Sequence, residues 1–169
     1  MNATAAIGIG SNLGERLSSL RDAVTRIGTT PGVRVSARSR VYEGRAWGSR
    51  GPDYLNAVIV IDTATQPEPL LAELLAIEAA MGRMRRERWG PRVIDLDLLA
   101  WVRPGDDASV VSAGTLALPH PRMTARDFVL VPLCEVWPAL RIDGVVVGDV
   151  LAALPAAQRT ILACVDAVL

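Results

Sequence analysis

Apolar residues along the first hundred positions alternate between the spacing of strands and the spacing of helices. The apolar run at residues 5–10 and the β-branched run at residues 55–62 each predict a buried strand. Residues 33–42 largely alternate apolar and polar side chains, which predicts one strand with a solvated face. Residues 93–102 predict a further strand. The pattern therefore predicts four strands in this part of the chain.

Apolar residues spaced three to four apart predict two helices between these strands. The first runs from residue 13 to residue 27, and Gly28 is expected to end it. The second begins at Pro67 and continues to Met81, and Gly82 is expected to end it. The resulting order, β-α-β-β-α-β, is a ferredoxin-like arrangement with an antiparallel sheet and helices packed on it. The predicted fold class is α+β.

The pattern beyond residue 102 is weaker, and it predicts shorter elements. These are a polar connection at 103–113, an extended segment before and between prolines at 116–121, a helix at 128–137 and a hairpin at 142–145. The C-terminal tail is ambiguous between helix and strand. We interpret these segments as C-terminal additions to a single domain that spans residues 1–169.

Composition excludes a disordered chain and a membrane-spanning chain. Half of the 169 residues are hydrophobic, and 18 basic side chains balance 18 acidic ones. Because the first residues do not resemble a signal peptide, we expect a cytoplasmic protein. Separately, we expect the protein to be a monomer. Cys134 and Cys164 are predicted to be buried free thiols. All the basic residues are arginine, so any phosphate binding must rely on arginine and metal ions, without lysine.

Charge is concentrated between Gly82 and Asp97. Five arginines and one glutamate occupy residues 82–92, and two acids follow within an apolar strand. Asp95 and Asp97 are two positions apart, so both point to one face of that strand, with α-carbons roughly 7 Å apart. Two carboxylates on one face suit Mg²⁺, which prefers oxygen ligands together with substrate phosphates. The alternative is that the acids form salt bridges with the arginines on a solvated face.

Three other features allow competing interpretations. Gly8, Gly10 and Gly14 have the wrong spacing for a dinucleotide fingerprint, and they predict a closely packed turn. His120 is the single histidine, and together with two distant cysteines it does not supply the usual ligands of a zinc site, which is therefore excluded. Trp89 within the arginine run is compatible with a single-stranded nucleic-acid binder, although the balanced charge favours a smaller phosphate site. A non-catalytic small-molecule-binding module of ferredoxin-like fold is the other alternative.

Six sequence blocks fall in the order and spacing of a known enzyme family. They are GSNLG at 10–14, PDYLN at 52–56, IE at 77–78, GR-x-R at 82–85, RWGPR-x-IDLDLL at 88–99 and LPHPRM-x-x-R-x-FVL-x-PL at 118–133. On these blocks the chain resembles the 6-hydroxymethyl-7,8-dihydropterin pyrophosphokinases of folate biosynthesis. The resemblance covers about residues 7–138. The two longest blocks are highly specific.

The resemblance implies a reaction and its co-substrates. It implies that the β,γ-pyrophosphoryl group of ATP is transferred to the hydroxymethyl oxygen of the pterin, with release of AMP. It also implies that two Mg²⁺ ions are held by Asp95 and Asp97, and that neither nucleic acid nor a membrane is a partner. The attacking alcohol must lose a proton, but no residue stands out as its general base.

The resemblance also assigns roles to single residues. The implied catalytic residues are Arg83 and Arg92; the implied ATP-binding residues are Glu78, Arg85, Arg88, Trp89, His120 and Arg126; the implied pterin-binding residues are Gly44, Trp47, Tyr54, Asn56, Trp89 and Phe128. The loop at 43–51 departs from the family pattern, and there Trp47 is expected to cover the pterin ring.

Overall fold

The computed structural model describes residues 2–46, 51–83, 92–106, 111–114 and 116–169. Its strands are β1 (Ala3–Ser11), β2 (Val33–Arg38), β3 (Val41–Gly44), β4 (Tyr54–Thr63), β5 (Asp95–Val102), β6 (Val111–Ala113), β7 (Leu116–Leu118), β8 (Arg141–Ile142), β9 (Val145–Val146) and β10 (Ile161–Val165). Its helices are α1 (Arg16–Thr29), α2 (Pro67–Ala80), α3 (Asp127–Val136) and α4 (Val147–Ala152), with short 3-10 turns at Met123–Ala125 and Ala156–Gln158. Among these residues, no helix is both long enough and apolar enough to cross a membrane.

A six-stranded antiparallel sheet forms the centre of the fold. Strand β1 lies between β4 and β5, while β2 and β3 both pair with β4 on its other side. The C-terminal strand β10 extends the sheet beyond β3. Helices α1 and α2 connect the strands in the ferredoxin-like order, so the predicted α+β fold class is confirmed.

The single strand predicted over residues 33–42 is instead two strands. They are separated at Ser39, whose backbone N–H donates to the carbonyl of Val58 over 2.9 Å. The Ser39 hydroxyl in turn accepts a hydrogen bond from the Val58 N–H at 2.9 Å. A side chain thus replaces part of the backbone ladder at this point, and the chain bends while remaining along β4. The alternating sequence pattern continues through the bend and does not reveal it.

Helix α1 begins at Arg16, three residues later than predicted, and helix α2 ends at Ala80, one residue earlier than predicted. Helix α1 continues past Gly28 to Thr29, and the turn that follows uses Gly32 at φ +76°. Helix α2 begins at Pro67 as predicted, and Gly82 follows it at φ +86°. Such positive φ angles are readily adopted by glycine, because it lacks a Cβ atom.

The segments beyond residue 102 contain more regular structure than predicted. The supposed polar connection at 103–113 includes β6, which pairs with β7. The ambiguous tail contains both a helix, α4, and a strand, β10. The helix and hairpin predicted at 128–137 and 142–145 are confirmed as α3 and as β8 with β9. The prediction of two buried thiols is wrong, because Cys134 is half-buried and Cys164 is exposed on the edge strand.

The two faces of the sheet are covered differently. Side chains from α1 and α2 pack on one face, against the alternate residues of β1, β4 and β5 that include Ile7, Ile59 and Leu98. Burial of each such side chain contributes about 1.5–3 kcal/mol. On the opposite face, α3 packs over Val58 and Leu99. Beyond α3 this second face carries polar residues and glycines.

Candidate active site

A row of paired backbone positions crosses the second face of the sheet. Tyr42 pairs with Asn56, Asn56 with Gly10, and Gly10 with Asp95. A Cβ atom built on Gly10 would lie 2.9 Å from Oδ1 of Asn56. Glycine at this position therefore leaves the space that the Asn56 side chain occupies. From the sequence, Gly10 belongs to the GSNLG block and was expected in a closely packed turn; its contact with Asn56 was not predicted.

A pocket opens on this face beside the N-terminal end of α3. We call it the aromatic pocket, because Tyr54 and Phe128 contribute to its wall together with Asn56. Its charged lining residues are Arg45, Arg92, Asp95, Asp97, Arg122 and Arg126. The guanidinium carbon of Arg126 lies 5.5 Å from the centroid of the Phe128 ring. The pocket thus offers aromatic faces, an amide and several positive charges.

A second pocket lies on the other side of the two aspartates. We call it the histidine pocket, because His120 lines it together with Arg83 and the apolar side chains of Leu71 and Leu75. Four residues line both pockets: Arg92, Asp95, Asp97 and Arg122. Strand β5 therefore places its two carboxylates between the aromatic pocket and the histidine pocket.

The two aspartates have different partners. Nη1 of Arg92 lies 2.8 Å from each carboxylate oxygen of Asp95, and Nη1 of Arg83 lies 2.9 Å from Oδ1. Asp97 is further from its arginine, since Nη1 of Arg126 is 3.6 Å from its Oδ2. The Asp97 side chain is 36% exposed, and that of Asp95 is 25% exposed. The salt bridges considered in the sequence analysis thus form at Asp95, while Asp97 is more open.

Between the pockets, burial and neighbouring charges shift the pKa values of Asp97 and His120 in opposing directions. Burial raises the pKa of Asp97, and the negative charge of Asp95 raises it further, whereas His120, Arg126 and Arg122 lower it. Burial also lowers the pKa of His120, and the negative charge of Asp97 partly offsets that effect. The site therefore holds closely spaced negative charge that a cation would stabilise.

Glu78 lies beneath the site and anchors it. Its side chain is buried at 1% exposure, and Oε1 accepts a hydrogen bond from the N–H of Leu96 at 2.7 Å. The same oxygen pairs with the guanidinium of Arg83. Burial raises the pKa of Glu78, although the bond from Leu96 and the charge of Arg83 lower it. Glu78 is not among the described residues that line either pocket; it fixes Arg83, which lines one of them.

Asn12 joins the segments that precede β4 and β5. Its Nδ2 donates to the carbonyl of Pro52 at 3.2 Å, and its Oδ1 accepts from the N–H of Arg92 at 2.7 Å. The backbone N–H of Asn12 also donates to the carbonyl of Arg92 over 3.1 Å. This residue lies in the GSNLG block, but its sequence position alone does not show which segments it contacts.

The structure brings together most of the described residues that the sequence analysis singled out. Tyr54, Asn56, Phe128 and Arg126 line the aromatic pocket, and Arg83 and His120 line the histidine pocket. Gly44 lines neither pocket, but the next residue, Arg45, lines the aromatic one. Four assigned residues, Trp47, Arg85, Arg88 and Trp89, lie outside the described residues. Arg45 and Arg122 were not predicted, although the LPHPRM block includes the second.

The donor set between the pockets fits a hard divalent cation. Within the described residues, no group of three or more His, Cys, Asp or Glu side chains is placed to hold a metal ion. Two neighbouring carboxylates do suit Mg²⁺, which commonly binds one or two carboxylates and completes its coordination with water and phosphate oxygens. Asp95 and Asp97 are the residues that would hold it.

Comparison with known proteins identifies relatives along most of the chain. Residues 6–138 match the family model described as 7,8-dihydro-6-hydroxymethylpterin-pyrophosphokinase (HPPK). A 2-amino-4-hydroxy-6-hydroxymethyldihydropteridine pyrophosphokinase of Methylorubrum extorquens is 47% identical over 151 residues, which cover 89% of this chain and 92% of the relative. The protein of the same name from Aquifex aeolicus is 35% identical, over 80% of this chain and 81% of its own length.

Solved structures show the same fold at low sequence identity. A Plasmodium falciparum HPPK-DHPS with pteroate aligns at a TM-score of 0.70 and 11% identity, over 90% of this chain. An HPPK-DHPS in complex with substrates aligns at a TM-score of 0.68. This chain spans less than half of those longer proteins, 42% and 43%. The family match and the identity to full-length relatives lead to one conclusion: the chain belongs to the 7,8-dihydro-6-hydroxymethylpterin-pyrophosphokinase family.

Proposed function

We propose that this protein transfers pyrophosphate from ATP to the hydroxymethyl group of 6-hydroxymethyl-7,8-dihydropterin, in folate biosynthesis. The structural observation that supports this proposal is that two pockets of different character meet at Asp95 and Asp97. A reaction that joins two substrates requires them to be held side by side, with the reacting atoms close together. The boundary between the pockets supplies that position.

The aromatic pocket is suited to the pterin. The rings of Tyr54 and Phe128 offer faces for a flat heterocycle, and the Asn56 amide can both donate and accept hydrogen bonds. Asn56 is buried, so its amide is protected from competing water. Gly44 contributes its backbone beside this pocket, and we assign Trp47 and Trp89 to the pterin as well.

The histidine pocket is suited to ATP. His120, Arg83 and the shared Arg92 surround it with polar and positive groups, and Leu71 and Leu75 add apolar surface. Arginine binds phosphate oxygens through paired hydrogen bonds, which suits a protein without lysine. Glu78 supports this site by fixing Arg83. We also assign Arg85, Arg88 and Trp89 to the nucleotide. Arg126 lines the aromatic pocket and not the histidine pocket, but its guanidinium lies 3.6 Å from Asp97 at the boundary, and from there we assign it to the phosphates of ATP.

Asp95 and Asp97 would hold two Mg²⁺ ions, which neutralise the charge of the triphosphate and make its β-phosphorus more electrophilic. Arg83 and Arg92 pair with Asp95 in the structure described here. With ATP present, we expect these guanidinium groups to turn to phosphate oxygens and to stabilise the charge that develops on them. The two arginines are therefore the catalytic residues of the proposal.

The proposed reaction is a single displacement. The hydroxymethyl oxygen forms a bond to the β-phosphorus of ATP, and the bond between that phosphorus and the oxygen bridging it to the α-phosphorus breaks. AMP leaves with the bridging oxygen, and the hydroxyl proton is released to the surroundings. Protein groups contribute by position and by charge, as is general for phosphoryl transfer. We propose that the protein acts as a monomer in the cytoplasm.

A product assay tests this function. The purified protein is mixed with ATP, Mg²⁺ and 6-hydroxymethyl-7,8-dihydropterin, and nucleotides and pterins are separated by chromatography. We expect equal amounts of AMP and pterin diphosphate, and no AMP when Mg²⁺ or the pterin is omitted. Binding of the pterin without AMP formation would favour the non-catalytic module, and salt-sensitive oligonucleotide binding would favour the nucleic-acid binder.

A further inference from the structure

The C-terminal strand β10 lies outside the family-matched residues 6–138, and it lies beside residues that line the aromatic pocket without lining the pocket itself. It pairs with β3, where Ile161 is opposite Gly44 and Cys164 is opposite Tyr42. The carbonyl of Thr160 accepts a hydrogen bond from the N–H of Arg45 at 3.0 Å. Arg45 lines the aromatic pocket, so Thr160, the residue that precedes β10, holds the backbone of one wall in place.

The same segment is fixed to the opposite wall by a buried carboxylate. Asp127 is 3% exposed, and its Oδ2 accepts hydrogen bonds from the N–H groups of Thr160 at 2.6 Å and Ile161 at 2.8 Å. Its Oδ1 accepts from the Thr160 hydroxyl at 2.7 Å and from the N–H of Phe128 at 2.9 Å. Four donors thus converge on one carboxylate at the start of α3, where the positive end of the helix dipole also stabilises it.

The sequence neighbours of Asp127 contribute to the pocket directly. Phe128 presents its ring there, and the Arg126 guanidinium lies over that ring. The position of Phe128 relative to Arg45 therefore depends on a short path of hydrogen bonds, from Phe128 through Asp127 to Thr160 and then to Arg45. The side chains of Tyr54 and Asn56 lie on β4, which is paired with β3, at the base of the same pocket.

From this path we infer that Asp127 is a positioning residue for the pterin, acting through Thr160 and Ile161 of the C-terminal segment. It sets the separation of the two pocket walls that carry Phe128 and Arg45, without contacting the substrate. The inference rests on the proposed function, because it takes the aromatic pocket as the pterin site. It also gives the residues beyond the family-matched region a role in substrate binding.

The substitution Asp127→Asn tests the inference, because it keeps the shape of the side chain and replaces one acceptor oxygen by a donor. At least one of the donors from Thr160 and Ile161 then faces an NH₂ group. We expect the Kd and the KM for 6-hydroxymethyl-7,8-dihydropterin to rise about tenfold. The Kd for ATP, measured without pterin, should rise by no more than one fifth of the factor by which the Kd for the pterin rises.

Two further variants separate positioning from general loss of stability. Glu135→Gln is a matched control, since Glu135 is also an acid of α3 that binds the β3 edge, through Tyr42 and Arg40. It should lower stability and leave pterin affinity unchanged. Thr160→Val removes only one of the four donors and should weaken pterin binding by a smaller factor, in a protein that folds even if Asp127→Asn does not.

The outcomes distinguish this inference from the proposed function. A wild-type protein without AMP formation contradicts the proposed function, and the inference with it. If the wild-type protein is active but Asp127→Asn and Thr160→Val bind the pterin normally, the inference alone is wrong. Equal losses of ATP and pterin affinity, or an equal loss in Glu135→Gln, would show a structural role only and would also overturn it.

Discussion

Single side chains define the site through their differences in exposure and pairing. Asp95 is held by two arginines, whereas Asp97 lies beside Arg126 at 3.6 Å and is the more exposed of the two acids. Burial and the negative charge of Asp95 raise the pKa of Asp97. A carboxylate whose pKa is raised by folding destabilises the fold at neutral pH, so the stability of the fold does not explain an acid at this position.

Replacement of Asp97 tests whether this acid is needed for catalysis while it lowers the stability of the fold. The variant Asp97→Asn should lower kcat by about 10²- to 10³-fold, because it removes a charge that the phosphate chemistry requires. At pH 7 its thermal unfolding temperature should equal or exceed that of the wild type, because the charged form of the acid is disfavoured by burial. Steady-state assays and calorimetry measure the two effects.

An exposed aspartate provides the control. Asp106 lies in the turn after β5, and Asp106→Asn should change neither kcat nor the thermal unfolding temperature. Near-normal turnover of Asp97→Asn would contradict the assignment of this residue as a metal ligand.

Gly10 tests the geometry of the pterin pocket. An alanine here would place a Cβ atom 2.9 Å from Oδ1 of Asn56, so the amide must move. The variant Gly10→Ala should raise the KM for the pterin about tenfold, which corresponds to about 1.4 kcal/mol. Enzyme assays at varied pterin concentration measure this change.

A glycine remote from the pocket provides the comparison. Gly28→Ala in α1 meets only Val35, at 3.6 Å, and should stabilise the helix by up to about 1 kcal/mol without changing the KM. An unchanged KM in Gly10→Ala would mean that Asn56 does not bind the pterin.

At the scale of elements, hydrogen bonds from side chains position α3 on the sheet edge. Glu135 near the end of α3 accepts a hydrogen bond from the Tyr42 hydroxyl at 2.5 Å and one from the backbone N–H of Arg40 at 3.0 Å. Burial and the bond to Glu135 raise the pKa of Tyr42 to about 12. Burial alone would raise the pKa of Glu135, but the hydrogen bonds from Tyr42 and Arg40 outweigh it and lower that pKa.

The lowered pKa of Glu135 predicts how stability depends on pH. A carboxylate with a lower pKa in the folded state stabilises the fold above its unfolded pKa, about 4.3, and this stabilisation is lost as the pH falls through the folded value. At pH 7, Glu135→Gln should lower the free energy of unfolding by about 1–2 kcal/mol, through the Tyr42 hydrogen bond. The difference from wild type should shrink steadily below about pH 4.3.

Urea unfolding between pH 7 and pH 3 measures this dependence. Asp22→Asn, which breaks an exposed pair with Arg26 in α1, should change stability by less than about 1 kcal/mol at every pH. A Glu135→Gln difference that stays constant with pH would contradict the account of this contact.

Elements with strong local patterns were predictable, and elements fixed by distant contacts were not. Strand β4 and helix α2 follow from β-branched residues and from a proline start, both of which are local signals. The break at Ser39 depends on hydrogen bonds to Val58, which is 19 residues away. Strand β10 forms by pairing with the edge of β3, a distant contact. Its own pattern of apolar and polar residues is therefore ambiguous between helix and strand.

At the scale of the whole molecule, the two faces of the sheet are covered unequally, and the histidine pocket lies where α2 and β5 meet. One face is closed by α1 and α2 over an apolar core, and the other is only partly covered by α3. The remaining surface of that second face carries the aromatic pocket. Alternation along β5 assigns Leu96 and Leu98 to the closed face and the two aspartates to the open one.

The candidate site was predictable to the extent that its residues lie in motifs. The pairing of Asp95 with Asp97 follows from strand periodicity, and Tyr54, Asn56 and Phe128 were assigned by resemblance. The contacts of Asn12 and Asp127 span 80 and 33 residues, so no local pattern reveals them. The division into two pockets likewise depends on how β5 and α3 are placed in three dimensions.

The position of the divalent cation shows directly whether Asp95 and Asp97 bind the metal between the two substrates. Crystals of the protein with Mn²⁺, a non-hydrolysable ATP analogue and the pterin would locate the metal by its anomalous scattering. We predict density within coordination distance of both Asp95 and Asp97, with the triphosphate on the side of His120 and the pterin between Tyr54 and Phe128. Metal and triphosphate bound elsewhere, with the two aspartates still paired to arginine, would contradict the account.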